Sequence, residues 1–227
     1  MVEFSPTGTA NGYRRAFAGD SFNTAVYLAR TGLSVRYLTR LGDDAGSMAV
    51  LRMMADEGID PSLVVQEAEA SMGLYLIEND ARGERTFTYY RDGSPARRLF
   101  DQPLRLSADV FYFTGITLAV TRSGHDNLLG LLAELSAAGC QIVFDPNFRP
   151  RLWADLADAQ KACRDVLGWC DLVLPTLDDD RVLWGHQDAD ESIAFYRRHG
   201  AAEVVVKGDG LAVQAFSSSG RAERVAE

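Results

Sequence analysis

The chain has 227 residues, 47% hydrophobic and 24% charged, which suits one sizeable core of ordinary globular composition. Its net charge of −9 argues against a general nucleic-acid or anionic-membrane surface. The sequence shows no signal-peptide core and no long apolar run, which predicts a cytoplasmic protein. Three cysteines (Cys140, Cys163, Cys170) have neither metal-ligand spacing nor an even-numbered disulfide pattern, so they read as buried thiols. His125, His186 and His199 are scattered and read as structural or solvent-facing rather than zinc ligands. Lys161 and Lys207 are the only lysines among 23 basic residues, so the placement of an arginine says more than its abundance.

In chain order, Asp20 to Arg30 has helical spacing, with Phe22, Ala25, Val26 and Ala29 on one face and Gly32 as a stop. Val35 to Leu41 reads as a strand. Asp44 suits the cap of a helix carrying Met48, Leu51, Met54 and Ala55 and ending at Gly58. Residues 72–78 and 84–91 break this rhythm: two strand-like runs joined by 79–83 read as a hairpin over one sheet edge. The alternation resumes with a strand at 109–113, a helix at 123–138, a strand at 141–145, a helix at 155–169 and a strand at 171–175. Short helices follow within 178–199, then strands at 203–207 and near 211–216. Strands separated by helices imply right-handed crossovers and a mostly parallel sheet, an α/β fold.

Four places carry candidate chemistry. The strand 142–144 runs into Asp145-Pro146-Asn147-Phe148-Arg149-Pro150-Arg151-Leu152-Trp153. Its two prolines stiffen the loop against regular structure. Ligands in open α/β sheets bind beyond the carboxyl ends of strands, and arginine forks suit carboxylate or phosphate there. An ordinary surface loop with solvated arginines fits as well. Gly19-Asp20-Ser21-Phe22-Asn23 joins a glycine, a capping acid and an amide at a helix entrance; Asp20 and Asn23, three apart, can face one small polyol, or the segment is a plain N-cap. Tyr75, Tyr89 and Arg91 on the hairpin suit a cover over a ligand, or an aromatic sheet face. Lys207-Gly208-Asp209-Gly210 ends a strand in a glycine turn that would let a nucleotide approach the backbone or simply turn a hairpin. Neither a Gly-x-Gly-x-x-Gly dinucleotide fingerprint nor a Walker A loop is found.

The stretches Phe17-Ala18-Gly19-Asp20-Ser21-Phe22-Asn23-Thr24-Ala25 and Leu38-Thr39-Arg40-Leu41-Gly42-Asp43-Asp44 resemble the first signature of the ribokinase/PfkB carbohydrate kinases. Within that family, Gly83 to Arg91, Thr114 to Ala119, the run from Asp145 to Trp153, and Thr176-Leu177-Asp178-Asp179 resemble the 2-dehydro-3-deoxygluconokinase branch. The resemblance covers essentially the whole chain. It implies a ribokinase-like, three-layer α/β/α domain over 1–227 with a mostly parallel sheet, and a small β-sheet lid formed by about 3–16 and 60–92. The activity it implies is ATP-dependent phosphorylation of 2-dehydro-3-deoxy-D-gluconate to its 6-phosphate, as in sugar-acid degradation of the Entner–Doudoroff type.

Residue by residue, the resemblance implies that Gly19, Asp20, Ser21 and Asn23 hold sugar-acid hydroxyls while Tyr75, Tyr89 and Arg91 close over them. Arg149 would contact both the sugar acid and the nucleotide phosphates, with Asn147 beside it. Thr176, Lys207, Gly208 and Gly210 would border the nucleotide. Asp179 stands where the family has a magnesium-organising glutamate, so ATP and Mg2+ are the implied cofactors. The family's general-base aspartate, on a Gly-Ala-Gly-Asp-type segment, has no counterpart here and is expected beyond Glu227. The opening Met1 to Ser5 matches only the end of the family's first strand. The chain therefore reads as truncated at both ends, with its own activity in doubt. Partners are a small sugar acid and ATP, with a homodimer through the lid sheet as an extension. Two alternatives stay open: a catalytically inactive sugar-acid-binding fragment, and a PfkB kinase for another sugar such as fructose or ribose.

Overall fold

The computed structural model describes residues 1–9, 12–79, 85–208, 212–217 and 220–225. The chain divides into two compact units, Met1–Leu99 and Phe100–Glu227.

The first unit contains β1 (Val2–Pro6), β2 (Tyr13–Phe17), α1 (Asp20–Arg30), β3 (Thr39–Leu41), α2 (Ala45–Asp56), β4 (Val64–Gln66), β5 (Leu74–Asn79) and β6 (Arg85–Tyr90). Four strands form one sheet in the order β2-β1-β5-β6, in which β1 and β5 are parallel and both outer pairs antiparallel. β3 and β4 form a separate parallel pair. The core gathers Phe22, Ala25 and Val26 from α1, Val50 and Met54 from α2, and Val2, Leu41, Ile59 and Met72. These helical positions recur three to four residues apart, as an amphipathic helix requires.

Asp44 caps α2 as expected: one carboxylate oxygen accepts from the N–H groups of Gly46 and Ser47, and the other from the Ser47 hydroxyl and the Met72 N–H. Burial opposes charge on this carboxyl, but these four donors together hold its pKa below the ordinary value. The strand expected over 35–41 is shorter. Only Thr39–Leu41 pairs as a strand, and Arg36 makes an isolated bridge with Asp60. The hairpin forms as the antiparallel pair β5–β6, but its connecting segment 80–84 lies outside the described residues. It pairs through β5 with β1, a contact between residues about 70 apart that no local pattern specifies.

The second unit continues with β7 (Val110–Thr114), α3 (Gly115–Val120), α4 (His125–Ala137), β8 (Gln141–Asp145), α5 (Leu156–Leu167), β9 (Leu172–Val173), α6 (Leu177–Leu183), α7 (Ala189–Arg198), β10 (Glu203–Lys207), β11 (Ala212–Ser217) and β12 (Gly220–Val225). Its six strands run in the order β12-β11-β10-β9-β8-β7, parallel from β7 to β10 and antiparallel at β11 and β12. The expectation of a mostly parallel α/β sheet thus holds for the alternating segment and stops where no helix separates the strands. β8 lies inside this sheet. Ile142 and Phe144 are fully buried and Val143 nearly so, and burial on both faces explains the unbroken apolar run. On α4, Leu128, Leu131, Leu132 and Leu135 are buried at the spacing of one helical face.

Several element boundaries differ from those the sequence predicts. α4 begins at His125 rather than 123, because Arg122–Gly124 forms a 3-10 turn. Pairing at 171–175 narrows to Leu172–Val173. α3 was not expected; it starts at the capping box of Thr114 and Thr117. The three cysteines are buried and unpaired, as expected. His186 is buried beside Ser192, while His125 and His199 sit at the ends of α4 and α7.

Candidate active site

In the first unit, two segments bring candidate residues together. Gly19 is the N-cap of α1, with extended φ of 170° and no side-chain cap bond. Asp20, expected as the capping acid, is instead the first helical residue, where a carboxylate complements the helix dipole. The Asn23 N–H donates to the Gly19 carbonyl at 2.8 Å, and its side chain is exposed. Ser21 Oγ lies 3.0 Å from the Tyr37 hydroxyl, a partner the sequence did not indicate. Gly19, Asp20, Ser21 and Asn23 thus occupy the entrance and first turn of one helix.

On the hairpin, Tyr75 and Tyr89 are cross-strand partners with ring centres 5.6 Å apart. Arg91, one residue past the end of β6, holds its guanidinium carbon 4.5 Å from the Tyr89 ring centre. Burial lowers the pKa of Arg91, opposed by Tyr89; arginine keeps its charge regardless. Tyr75 is buried and donates its hydroxyl proton to the Glu3 carboxylate. Tyr89 and Arg91 also line a cleft of about 840 Å³, together with Tyr90, Ser94, Glu67 and Arg98. Glu67 accepts hydrogen bonds from Arg40, at 3.1 Å, and from Arg98, and these hold its carboxyl below the usual range. Neither this Glu67 cluster nor Glu3 was legible in the sequence, since each joins strands or turns far apart in the chain.

In the second unit, the loop after β8 is built by short-range chemistry. Asp145 Oδ1 accepts from the Asn147 N–H at 3.1 Å, and Asn147 has a φ of +34°, a left-handed value that asparagine tolerates better than most residues. Gly115 makes the bend possible. A Cβ there would stand 1.9 Å from the Pro146 carbonyl oxygen, so only glycine lets α3 start against this loop. Lys207 Nζ donates to Asp145 Oδ2 at 2.8 Å, tying the end of β10 to the end of β8. The family resemblance implies a nucleotide beside Lys207 but carries no signal for this carboxylate partner, which lies 62 residues away. Thr176, the N-cap of α6, bridges to Lys207 through the backbone.

Arg149 Nη1 donates to its neighbour's Phe148 carbonyl at 2.9 Å and lies 3.5 Å from Asp179 Oδ1, with about half of its side chain exposed. Burial raises the pKa of Asp179, opposed by the Arg149 charge and the Phe148 N–H. The structure therefore brings Asn147, Arg149, Thr176, Asp179 and Lys207 to the carboxyl ends of β8, β9 and β10, where ligands bind in open α/β sheets. Gly208 follows β10 directly, and Gly210 lies outside the described residues. Among the described residues no cluster of three or more His, Cys, Asp or Glu side chains suits a metal, and no helix is long and apolar enough to cross a membrane.

An α/β unit with an arginine, a lysine and carboxylates at its strand ends, joined in one chain to a separate small sheet, is the build of a phosphoryl-transferring sugar kinase. The sequence profile described as "pfkB family carbohydrate kinase" matches residues 3–226, and the chain belongs to that family. It is accordingly a carbohydrate kinase, a transferase. It is 37% identical to the 2-dehydro-3-deoxygluconokinases of Escherichia coli K12 and Dickeya dadantii, in each case over 91% of this chain and 70% of the relative. Among solved structures it resembles a PfkB protein from Polaromonas sp. JS666, with a TM-score of 0.86, 30% identity and coverage of 100% of this chain and 79% of that one. The Thermotoga maritima 2-dehydro-3-deoxygluconokinase, at 19% identity, shares the fold with a TM-score of 0.82 over 98% of this chain and 75% of that one.

Proposed function

We propose that this kinase transfers the terminal phosphoryl group of ATP to the 6-hydroxyl of 2-dehydro-3-deoxy-D-gluconate, giving the 6-phosphate, ADP and a proton in the cytoplasm. The observation that carries this reading is Arg91. A half-buried guanidinium stacked on Tyr89 is already partly desolvated, and a carboxylate is the ligand group that best compensates it. Fructose and ribose offer no such group. The names of the 37%-identical relatives point the same way.

In this reading Tyr75, Tyr89 and Arg91 cover the sugar acid, and Gly19, Asp20, Ser21 and Asn23 hold its hydroxyls. In the second unit, Arg149 neutralises phosphate charge in the transition state, which is where phosphoryl transfer gains most from a fixed cation. Asn147, Thr176, Lys207, Gly208 and Gly210 border the nucleotide. Asp179 and Thr176 supply hard oxygen donors, and burial already makes a lone negative charge on Asp179 costly, so a cation there would relieve it. One carboxylate suits Mg2+, which keeps several waters and binds chiefly through phosphates. When bound, the ion would neutralise charge on the transferring group. A homodimer through the four-stranded sheet extends the proposal, since Tyr13, Phe87 and Tyr90 of that sheet are exposed; a monomer in sedimentation would refute it.

The test pairs calorimetry with a coupled ADP-release assay, using 2-dehydro-3-deoxygluconate, fructose and ribose. Turnover of the sugar acid well above both neutral sugars is expected. A preference for ribose or fructose overturns the proposal. Binding of the sugar acid without turnover would favour the non-catalytic binding reading instead.

A further inference from the structure

Glu3 has no part in the roles assigned above, yet it sits in their midst. It lies on β1 in register with Tyr75 of β5, which is in turn in register with Tyr89 of β6. The three side chains therefore form one row across three adjacent strands, with Arg91 stacked at the Tyr89 end. Tyr75 donates to Glu3 Oε2. A phenol has a single proton, and an ionised carboxylate only accepts. Once that proton is committed, the Tyr75 oxygen has only lone pairs left to offer.

The row is thus polarised. Its Glu3–Tyr75 end accepts hydrogen bonds, and its Arg91 end donates them. We propose that Glu3 is a positioning residue: it holds the Tyr75 hydroxyl proton, so that Tyr75 receives a hydrogen bond from a sugar hydroxyl and turns away carboxylate and keto oxygens, which go to Arg91. The role in recognition rests on the sugar-acid reading above. Placing a ligand carboxylate beside Glu3 would set two like charges together, and placing a keto oxygen against Tyr75 would set two acceptors together. Burial and the Glu3 carboxylate together raise the pKa of the Tyr75 phenol, so the proton stays in place near neutral pH.

Two measurements test this, with circular dichroism confirming that each variant is folded. The first needs no ligand. The infrared C–O stretch of ring-labelled tyrosine distinguishes a donating phenol from one that does not donate, and the Tyr75 band is identified by its loss in Tyr75→Phe. A strong-donor band in the unmodified protein that shifts to the non-donor position in Glu3→Ala is expected; an unchanged band overturns the pairing. The second is calorimetry with 2-dehydro-3-deoxygluconate. Tyr75→Phe and Glu3→Ala should each weaken binding roughly five- to tenfold, the loss of one hydrogen bond. Glu3→Gln, which keeps an acceptor oxygen, should recover part of that loss. The double variant should bind no worse than Tyr75→Phe alone, because both changes remove the same interaction. Additive losses, or full affinity in Glu3→Ala, overturn the positioning role. If the unmodified protein fails to bind the sugar acid, the functional reading falls, and the infrared result still decides where the Tyr75 proton lies.

Discussion

Replacing Gly115 by alanine adds one methyl group to a buried helix start, and its cost can be worked from the geometry. The new Cβ would stand 1.9 Å from the Pro146 carbonyl oxygen, where ordinary contact begins at 3.4 Å, so a gap of 1.5 Å (3.4 − 1.9) must open. The obstacle is backbone, not the end of a side chain that could rotate aside. Overpacking of this kind costs about 1–3 kcal/mol, and a backbone obstacle places it near the upper figure. At roughly 2–4 °C per kcal/mol for a chain of this size, the melting temperature should fall by roughly 6–12 °C. The displacement falls on the loop that carries Asn147 and Arg149. A shift of about 1 Å in a positioning loop can cost about 100-fold in rate, so activity should fall further than stability alone explains. Gly130→Ala is the control. It is exposed in the middle of α4 with nothing within 4 Å of the added Cβ, so the same methyl should raise stability by about 0.5–1 kcal/mol. Thermal melts of both variants, beside a kinase assay, read the result. A Gly115→Ala melt within 1 °C of the unmodified protein would refute the packing argument.

Arg149→Ala should lower the turnover rate by about 100- to 1,000-fold, the usual loss for one transition-state donor. It should shift the melting temperature by less than about 2 °C, because its contact with Asp179 is half-exposed and worth little. A rate within threefold would remove Arg149 from the phosphate site. Asp44→Asn keeps a cap acceptor but loses the charge. The folded pKa of Asp44 is depressed, so its charge contributes stability above the unfolded value of about 3.8, and that contribution disappears as pH falls through the lower folded value. The gap in urea midpoint between the two proteins should therefore be constant from pH 7 to about 5 and narrow below 4; a gap independent of pH would contradict this. Tyr196→Phe removes the hydroxyl that donates to fully buried Asp180 at 2.6 Å and accepts from Trp184 Nε1 at 3.0 Å. Leaving both groups without that partner should cost about 2–3 kcal/mol in urea unfolding, and a loss under 0.5 kcal/mol would contradict it.

Much of the second unit is legible in the linear order of its residues. The apolar run Ile142 to Phe144 marks an inner strand because only a strand buried on both faces tolerates it, and the prolines at 146 and 150 mark a loop because they fix φ. The leucine spacing of α4 is equally local, as are the bonds of Asp44 in the first unit to the Gly46 and Ser47 N–H groups. Their chemistry spans a few residues, and a linear pattern can express it.

The loop from Asp145 to Trp153 and the hairpin residues Tyr75, Tyr89 and Arg91 stand out by side-chain type and by family resemblance. The α/β alternation, the family and the set of candidate residues are all written in the linear order of amino acids. Which of them meet was decided only in three dimensions. Sequence patterns carry no signal for the bond from Tyr75 to Glu3, the ion pair of Lys207 with Asp145 at a separation of 62, or the approach of Pro146 to Gly115. Each depends on which strands lie side by side and in what register, and that is fixed by burying many apolar side chains at once. No single stretch of the chain contains that information.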